Sequence, residues 1–494
     1  MPNAPARFIP APEHWSAALA PSTHPDARDL RAQLGLPTDR PVILSGHQAQ
    51  FWHAGILAKA LAADALARRT GATWAWVVVD QDASDSASLP YPARAHTGAL
   101  PARHTWAFAP ERHIAELRAD CALANLPAFT PAPAPTDAAT PDVQRGLRAM
   151  HDALARHAAA PTCALQIARA NADLLATLLP PTTPAPPTAP AQGVLITACT
   201  LLHTRAGRAL LERMMADPEA CVRAYNRAVA DTARHDLSPL SLAPERGRIE
   251  LPLWQLAPGT TPAPRKRVYA RTLSDAPLHT LAPRALLMTA LLRHLACDLF
   301  IHGTGGGASA TSAADTGAGY DRAAERWFQL WLGEKLAPSV VATADVLLPL
   351  PTGDTGEPIG PTVQPQDVLD ARALAHRARH HPGLLGDHDA QQARDALVEQ
   401  IRALTSARGQ AHAAGKRALY RQLHELLSGA RARHAPALDA LHERAGTLAR
   451  TLQQEAILRE RAWPWPVLPR ARLLALRAHI QHSVGGGGGG GGAP

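Results

Sequence analysis

A run of strand-forming residues, Pro41-Val-Ile-Leu-Ser45, stops at Gly46, and an Ala/Leu-rich stretch from Ile56 to Arg69 stops before Gly71. A second apolar run, Thr73-Trp-Ala-Trp-Val-Val-Val79, then breaks off at Asp80-Gln81-Asp82. Strand, capped helix and strand with short joints make a βαβ unit, and this unit commits the chain to a parallel α/β sheet covered by helices. Gly193-Val-Leu-Ile-Thr197 reads as a further buried strand, followed by a helix through Arg205 to Met215. Leu287, Leu291 and Leu295 form a helical stripe that leads into Asp298-Leu-Phe-Ile-His302 and a Gly-rich loop; Tyr320-Asp321-Arg322 opens the next helix, and Ser339 to Leu350 is expected to close the sheet.

Around this core the composition shifts. Residues 1–40 are Pro/Ala-rich and are expected to wrap loosely over the surface. Pro-rich stretches at Leu126 to Pro141 and Pro180 to Pro190 bracket a helical segment, Val143 to Leu179. The expected organisation is an N-terminal extension (1–40), a first core part (41–125), a helical insertion (126–192), a second core part (193–350), a helical region (367–483) and a Gly-rich tail (484–494). In the helical region Leu397, Ile401 and Leu404, and again Leu419, Leu423 and Leu426, step by four and three, the coiled-coil interval, and a homodimer through these helices is expected.

The chain has 494 residues, 46% hydrophobic and 19% charged, ordinary globular values that exclude wholesale disorder. Its formal net charge is +8, but the arginines are scattered and aromatics make up only 4%, so neither a phosphate-tracking stripe nor a stacking platform is evident and nucleic acid is not the expected partner. Five dispersed cysteines show no Cys-x-x-Cys. That usage fits a reduced compartment, and with no signal-peptide pattern and no apolar run long enough for a bilayer, a cytoplasmic protein without membrane contact is expected.

Polar groups concentrate where the first strand feeds the first helix, at Gly46, His47, Gln48, His53, Gly55 and Lys59. Ligands of open α/β sheets sit at the carboxyl ends of strands, where a helix N-terminus offers free N–H groups to a phosphate, and imidazoles there can stabilise developing charge. The alternative is that His47 and Gln48 cap the strand and His53 packs in a turn. Lys59 is two residues from Leu57 and Leu61, a position that is normally solvated, yet the chain has only four lysines. Asp80 and Asp82 could hold Mg²⁺ or a substrate ammonium, or form an ordinary Asp-rich turn. His302, Gly303, Gly305 and Gly306 form a glycine wall that a substrate could approach, and Tyr320 either packs on the core or contacts a ligand. No P-loop, H-E-x-x-H or G-x-S-x-G occurs, and no dedicated metal-ligand set is assigned.

Ser45-Gly-His-Gln48, Ala54-Gly55 and Lys59, followed by a strand ending Asp80-Gln81-Asp82, resemble the opening of the bacillithiol-biosynthesis cysteine-adding ligase family, which has a Gly-Gln-Gln loop, a Gly-Pro, a Lys and an acidic strand end in that order. Pro283-Arg284-Ala285 through the His302-Gly loop to Tyr320 is similar to that family's late Arg-Pro segment and Gly-rich loop. Closer still is the resemblance to uncharacterised bacterial proteins with a GHQ opening and an FIHGIGG-type loop. The resemblance covers about Pro41 to Leu350 and implies a Rossmann-like core of the class I synthetase nucleotidyltransferase type, in which His53-Ala-Gly-Ile56 is similar to a degenerate HIGH loop. It further implies ATP, with Mg²⁺, and an amino acid, such as cysteine, joined to a small amine acceptor. His47, His53 and Lys59 would meet the phosphates, Asp80 and Asp82 would bind Mg²⁺ or the amine, and the glycine loop with Tyr320 would line the substrate. The sequence departs from the pattern at His47, Val79 and Gln81 and carries an insertion, approximately Gly307 to Gly319, before Tyr320. A non-catalytic binding protein with a dimerising coiled coil is the second expectation.

Overall fold

The computed structural model describes residues 6–19, 21–22, 24–94, 102–179, 193–232, 237–304, 319–348, 363–405, 410–458 and 460–486. The chain divides into two compact units, the larger formed by 1–94, 103–348 and 460–494, the smaller by 95–102 and 349–459. The fold is mixed α/β, and no described helix is long and apolar enough to cross a membrane.

The larger unit is organised by a six-stranded sheet: β1 (Ala6–Ile9), β2 (Val42–Gln48), β3 (Thr73–Val79), β4 (Val194–Thr197), β5 (Leu299–His302) and β6 (Ser339–Ala344), in the order β1-β6-β5-β2-β3-β4. All pairings are parallel except the edge pair β1 and β6. The first strand of the parallel set, β2, therefore lies at the centre, with β3 and β4 added on one side and β5 and β6 on the other. Such a reversal leaves a crevice above the carboxyl ends of β2 and β5.

The β2–β3 crossover is α1 (Ala54–Thr70), ended by Gly71 with φ of 69°, a left-handed position that glycine adopts without strain. Every residue of α1 from Ala54 to Ala67 is buried, Lys59 and Asp64 among them, so the helix is enclosed on all sides. It packs on β6 and beneath the helix Arg470–Gly485, whose Leu473, Leu476, Ile480 and Val484 are buried. The opposite face of the sheet carries α2 (Ala285–Leu291), followed by one π turn at Leu292–Ala296, and α3 (Tyr320–Leu332). Both pack with the helices Arg205–Ala216 and Pro218–Asp231 around fully buried Trp327 and Phe328.

Three expectations change. Residues 1–40 are not a loose wrap: β1 joins the sheet, Trp15 and Leu30 are fully buried, and Arg31 bonds Asp298 at 2.8 Å. The helical segment Val143 to Leu179, expected as an insertion, belongs to the larger unit, where Gly146 of helix Pro141–Arg156 meets the Pro466 backbone so closely that a Cβ would lie 2.2 Å from its carbonyl oxygen. The helical region does not continue to 483, because the buried Trp463 and Trp465 and the helix Arg470–Gly485 return to the larger unit.

In the smaller unit α4 (Pro365–Ala378) packs on α7 (Ala435–Leu458), and α5 (His388–Thr405) packs on α6 (Gln410–Arg433). Residues 180–192 and 487–494, which carry most of the second Pro-rich stretch and of the Gly-rich tail, lie outside the described residues.

Candidate functional site

Parallel pairing of β2 and β3 places Gly46 beside Val77 and Gln48 beside Val79, so both strands end at one rim. The third contributor, β5, pairs Ile301 with Ser45, whose hydroxyl donates to the Ile301 carbonyl at 2.7 Å. Above these ends opens a cleft of about 420 Å³. Gly46, His47, Gln48, Lys59, Asp82, His302, Gly303 and Tyr320, all singled out from the sequence, line it. Gln48 Nε2 reaches Asp82 Oδ2 at 3.5 Å, so the stretch that ends β2 and the one that follows β3 meet directly.

Gly46 is required by close approach. A Cβ there would lie 2.7 Å from the Val77 carbonyl oxygen, forcing the two central strands apart. The Gly46 carbonyl accepts a 2.6 Å hydrogen bond from Lys59 Nζ, which also lies 5.2 Å from the centre of the Trp76 ring. Lys59 is only 3% exposed, and burial pulls its ammonium down from the usual 10.5 to about 7, with Asp321 partly opposing that fall. The solvated position expected for Lys59 is thus overturned: α1 is enclosed on all sides, leaving no solvent face for spacing from Leu57 and Leu61 to indicate.

His47 is held well below the ordinary imidazole range, first by burial and then by the charges of Lys59 and His53. It is therefore neutral at pH 7, with one ring N–H to donate. His302 stacks on Phe300 at 4.6 Å, and its Nε2 lies 3.2 Å from Asp321 Oδ1. Burial alone would raise the Asp321 carboxyl, but His302 and the fully buried Arg293, at 3.1 Å, outweigh it and hold it below its usual value.

Three expected site residues are elsewhere, and two lie outside the described residues. His53 does not line the cleft; its Nδ1 accepts the Gly55 N–H at 3.1 Å and caps α1, and burial followed by Lys59 lowers its pKa. Gly55 is outside the cleft too, because it lets α1 approach β6: a Cβ would meet Thr343 Oγ1 at 3.0 Å. Asp80 points away from the cleft and accepts the Cys199 N–H at 3.0 Å, holding the start of the 3₁₀ helix Ala198–His203. Magnesium or amine binding by Asp80 is therefore not supported; its carboxylate is engaged by the Cys199 N–H, whereas Asp82 meets Gln48 and Arg265 at the cleft. Gly305 and Gly306 lie outside the described residues.

Burial pushes the Asp80 carboxyl up to about 6, with the Cys199 backbone bond opposing. A raised carboxyl contributes stability that is full below its unfolded value of 3.8 and is lost as pH rises through 6. Asp80→Asn keeps an acceptor for Cys199 and removes this cost, so at pH 7.5 it is expected to leave ligand binding unchanged and to stabilise by up to about 3 kcal/mol. Urea unfolding at pH 5 and pH 7.5 checks this, the gain being smaller at pH 5.

Several lining residues were missed from the sequence. Trp254 lies between two guanidiniums, Arg265 at 4.6 Å and Arg284 at 4.2 Å. Arg265 donates to Asp82 Oδ1 and to the Gln81 carbonyl, both at 3.1 Å. Gln81, 2% exposed, donates to the Pro283 carbonyl at 3.2 Å, which fixes its amide orientation and leaves its Oε1 without a partner. Trp254 belongs to a second, small antiparallel sheet built on Arg248–Gln255, and Arg265 directly precedes that sheet's strand Lys266–Tyr269, so no local pattern links them to β2. Gln81 stood inside the Asp80 to Asp82 run, and its position between two carboxylates was the available signal.

The resulting cleft presents Lys59 and Arg265, two imidazoles, a tyrosine and one carboxylate, Asp82, already bridged to Arg265. It suits an anionic ligand with a planar or hydrogen-bonding portion. Comparison with known proteins finds no matching family model and no matching curated protein.

Proposed function

We propose that this chain is an ATP-dependent ligase joining a carboxylate, an amino acid such as cysteine, to a small amine acceptor. On this reading the core is Rossmann-like, of the class I synthetase nucleotidyltransferase type, and the C-terminal helices form a dimerising coiled coil. The observation that carries the proposal is the buried Lys59, held against the end of β2 in a cleft at the point where strand order reverses. Ligands of open parallel sheets bind at this position.

Phosphates entering the cleft would raise the pKa of Lys59 and recharge it, while neutral His47 and the residues of the β5 end donate hydrogen bonds. Activation makes the carboxylate a reactive acyl donor, and the protein's part is to hold it and the amine together in a site shielded from water. His53 takes no part in phosphate contact here, since it does not line the cleft and its Nδ1 caps α1. The described residues do not fit a protein-held Mg²⁺, with Asp80 turned away and Asp82 bridged to Arg265; magnesium enters only as a companion of the nucleotide, and no step depends on it.

A second reading, a binding protein without catalysis, is favoured by one observation: Asp82 is the only carboxylate lining the cleft among the described residues, and it is engaged. Calorimetry with ATP and with amino acids, followed by assay for AMP or ADP release, separates the two. The ligase reading predicts nucleotide binding and amino-acid-dependent release. Nucleotide binding without release supports the second reading, and absence of nucleotide binding contradicts both in their nucleotide form. Light scattering tests the dimer.

A further inference from the structure

Near the start of β5, at the end of that strand opposite the cleft, His24, His294 and Glu334 converge. One ring nitrogen of each histidine and one Glu334 carboxylate oxygen lie within 4.8 Å of one another, and all three residues are partly buried. They come from separate segments. His24 precedes the helix Pro25–Gln33, His294 sits in the π turn after α2, and Glu334 follows Gly333, which ends α3.

The geometry points to a transition-metal site here, with Zn²⁺ as the ion, bound by two imidazoles and one carboxylate and completed by water. Two nitrogens and one oxygen are a donor set that zinc accepts in tetrahedral geometry, with the fourth position left to solvent. The two imidazole rings already stand 4.9 Å apart, edge to face, and His294 is supported behind by Phe328 at 5.6 Å. His24 Nδ1 accepts the exposed Asp26 N–H at 3.2 Å; if that nitrogen takes the metal, the donor passes to water.

Bound there, zinc would tie the N-terminal segment to α3 and to the helix entering β5. It would therefore add stability to the larger unit without touching the cleft, and it does not depend on the ligase reading.

The test uses the full chain stripped with chelator, dialysed against Zn²⁺ and assayed for retained metal, alongside His24→Asn and Glu334→Gln. Asparagine is an equally good helix cap, so His24→Asn removes the ligand while preserving the fold. Wild type is expected to retain one equivalent of Zn²⁺ more than either variant and to melt a few degrees higher with Zn²⁺ than without, a shift absent from His24→Asn. Co²⁺ loaded in place of zinc should give visible absorption bands of low coordination number in wild type alone. Equal metal retention and equal Co²⁺ spectra in wild type and in folded His24→Asn would overturn the site, since adventitious binding to the other histidines is common to both chains.

Discussion

Replacing Lys59 by methionine is expected to weaken ATP binding roughly 30- to 100-fold, the effect of removing one charge-assisted contact to phosphate, while making the free protein more stable at pH 7 and below. The two effects have one origin. Lys59 is 3% exposed and titrates near 7 in the folded chain, against 10.5 when solvated. Below pH 7 the ammonium is charged in both folded and unfolded states, and its burial costs up to about 5 kcal/mol. Between 7 and 10.5 the unfolded chain holds a proton that the folded chain lacks, so wild-type stability rises with pH across that window. Methionine has no such dependence. It does forfeit the bond to the Gly46 carbonyl and the contact with Trp76, about 1–3 kcal/mol together. A net gain on the order of 1–3 kcal/mol therefore remains at pH 6.5 and reverses to a loss near pH 10.5. Denaturant midpoints at both pH values check the sign; a variant less stable at pH 6.5 would mean that the ammonium is not desolvated.

The larger loss of stability is expected from Arg293→Met. Arg293 is fully buried and donates to Asp321 Oδ1 at 3.1 Å, to Glu325 and to the Ala337 carbonyl at 2.9 Å. Without it, Asp321 is a buried carboxylate that keeps His302 and the Ser339 side chain but loses its buried guanidinium, and breaking such a pair costs roughly 3–5 kcal/mol. In wild type Asp321 titrates below its usual value, so its contribution is present above pH 3.8 and is lost as pH falls through its folded pKa. In the variant desolvation raises Asp321, which then takes up a proton as the pH falls, and the deficit against wild type shrinks toward pH 4. Asp321→Asn on the Arg293→Met background should recover much of the loss at pH 7. If the double variant is as unstable as the single, the charge pair is not what Arg293 sustains.

Much of the fold was legible because it is local. The βαβ unit from Pro41 to Val79 announces itself by apolar runs of strand length, an Ala/Leu helix and Gly71 at its end, and the sheet places them as expected. The strand Ala6–Ile9 was not legible, since its pairing with β6 spans most of the chain and nothing in a Pro/Ala-rich stretch signals a distant antiparallel edge. The return of Trp463 to Val484 to the larger unit was hidden in the same way, by helical spacing that looks alike in a coiled coil and in a packed core helix.

The site divides along similar lines. Gly46, His47 and Gln48 belong to the end of β2, beside the end of β3, and neighbouring strand ends share a rim, so their place follows from topology alone. Asp80 and His53 were misplaced because residues just beyond an element follow no period, and only their hydrogen bonds to Cys199 and Gly55 decide which way they face. Trp254 reaches the cleft from a separate sheet and Arg265 from the loop leading into it, a juxtaposition that no spacing in the sequence encodes.

A crystal structure of the chain grown with a non-hydrolysable ATP analogue tests the central claim most directly. The account predicts phosphate density above the ends of β2, β3 and β5, within hydrogen-bond distance of Lys59 Nζ and His47, with no contact to Asp80. Nucleotide bound at a different surface of the larger unit, with the cleft above Gly46 filled only by water, would contradict it.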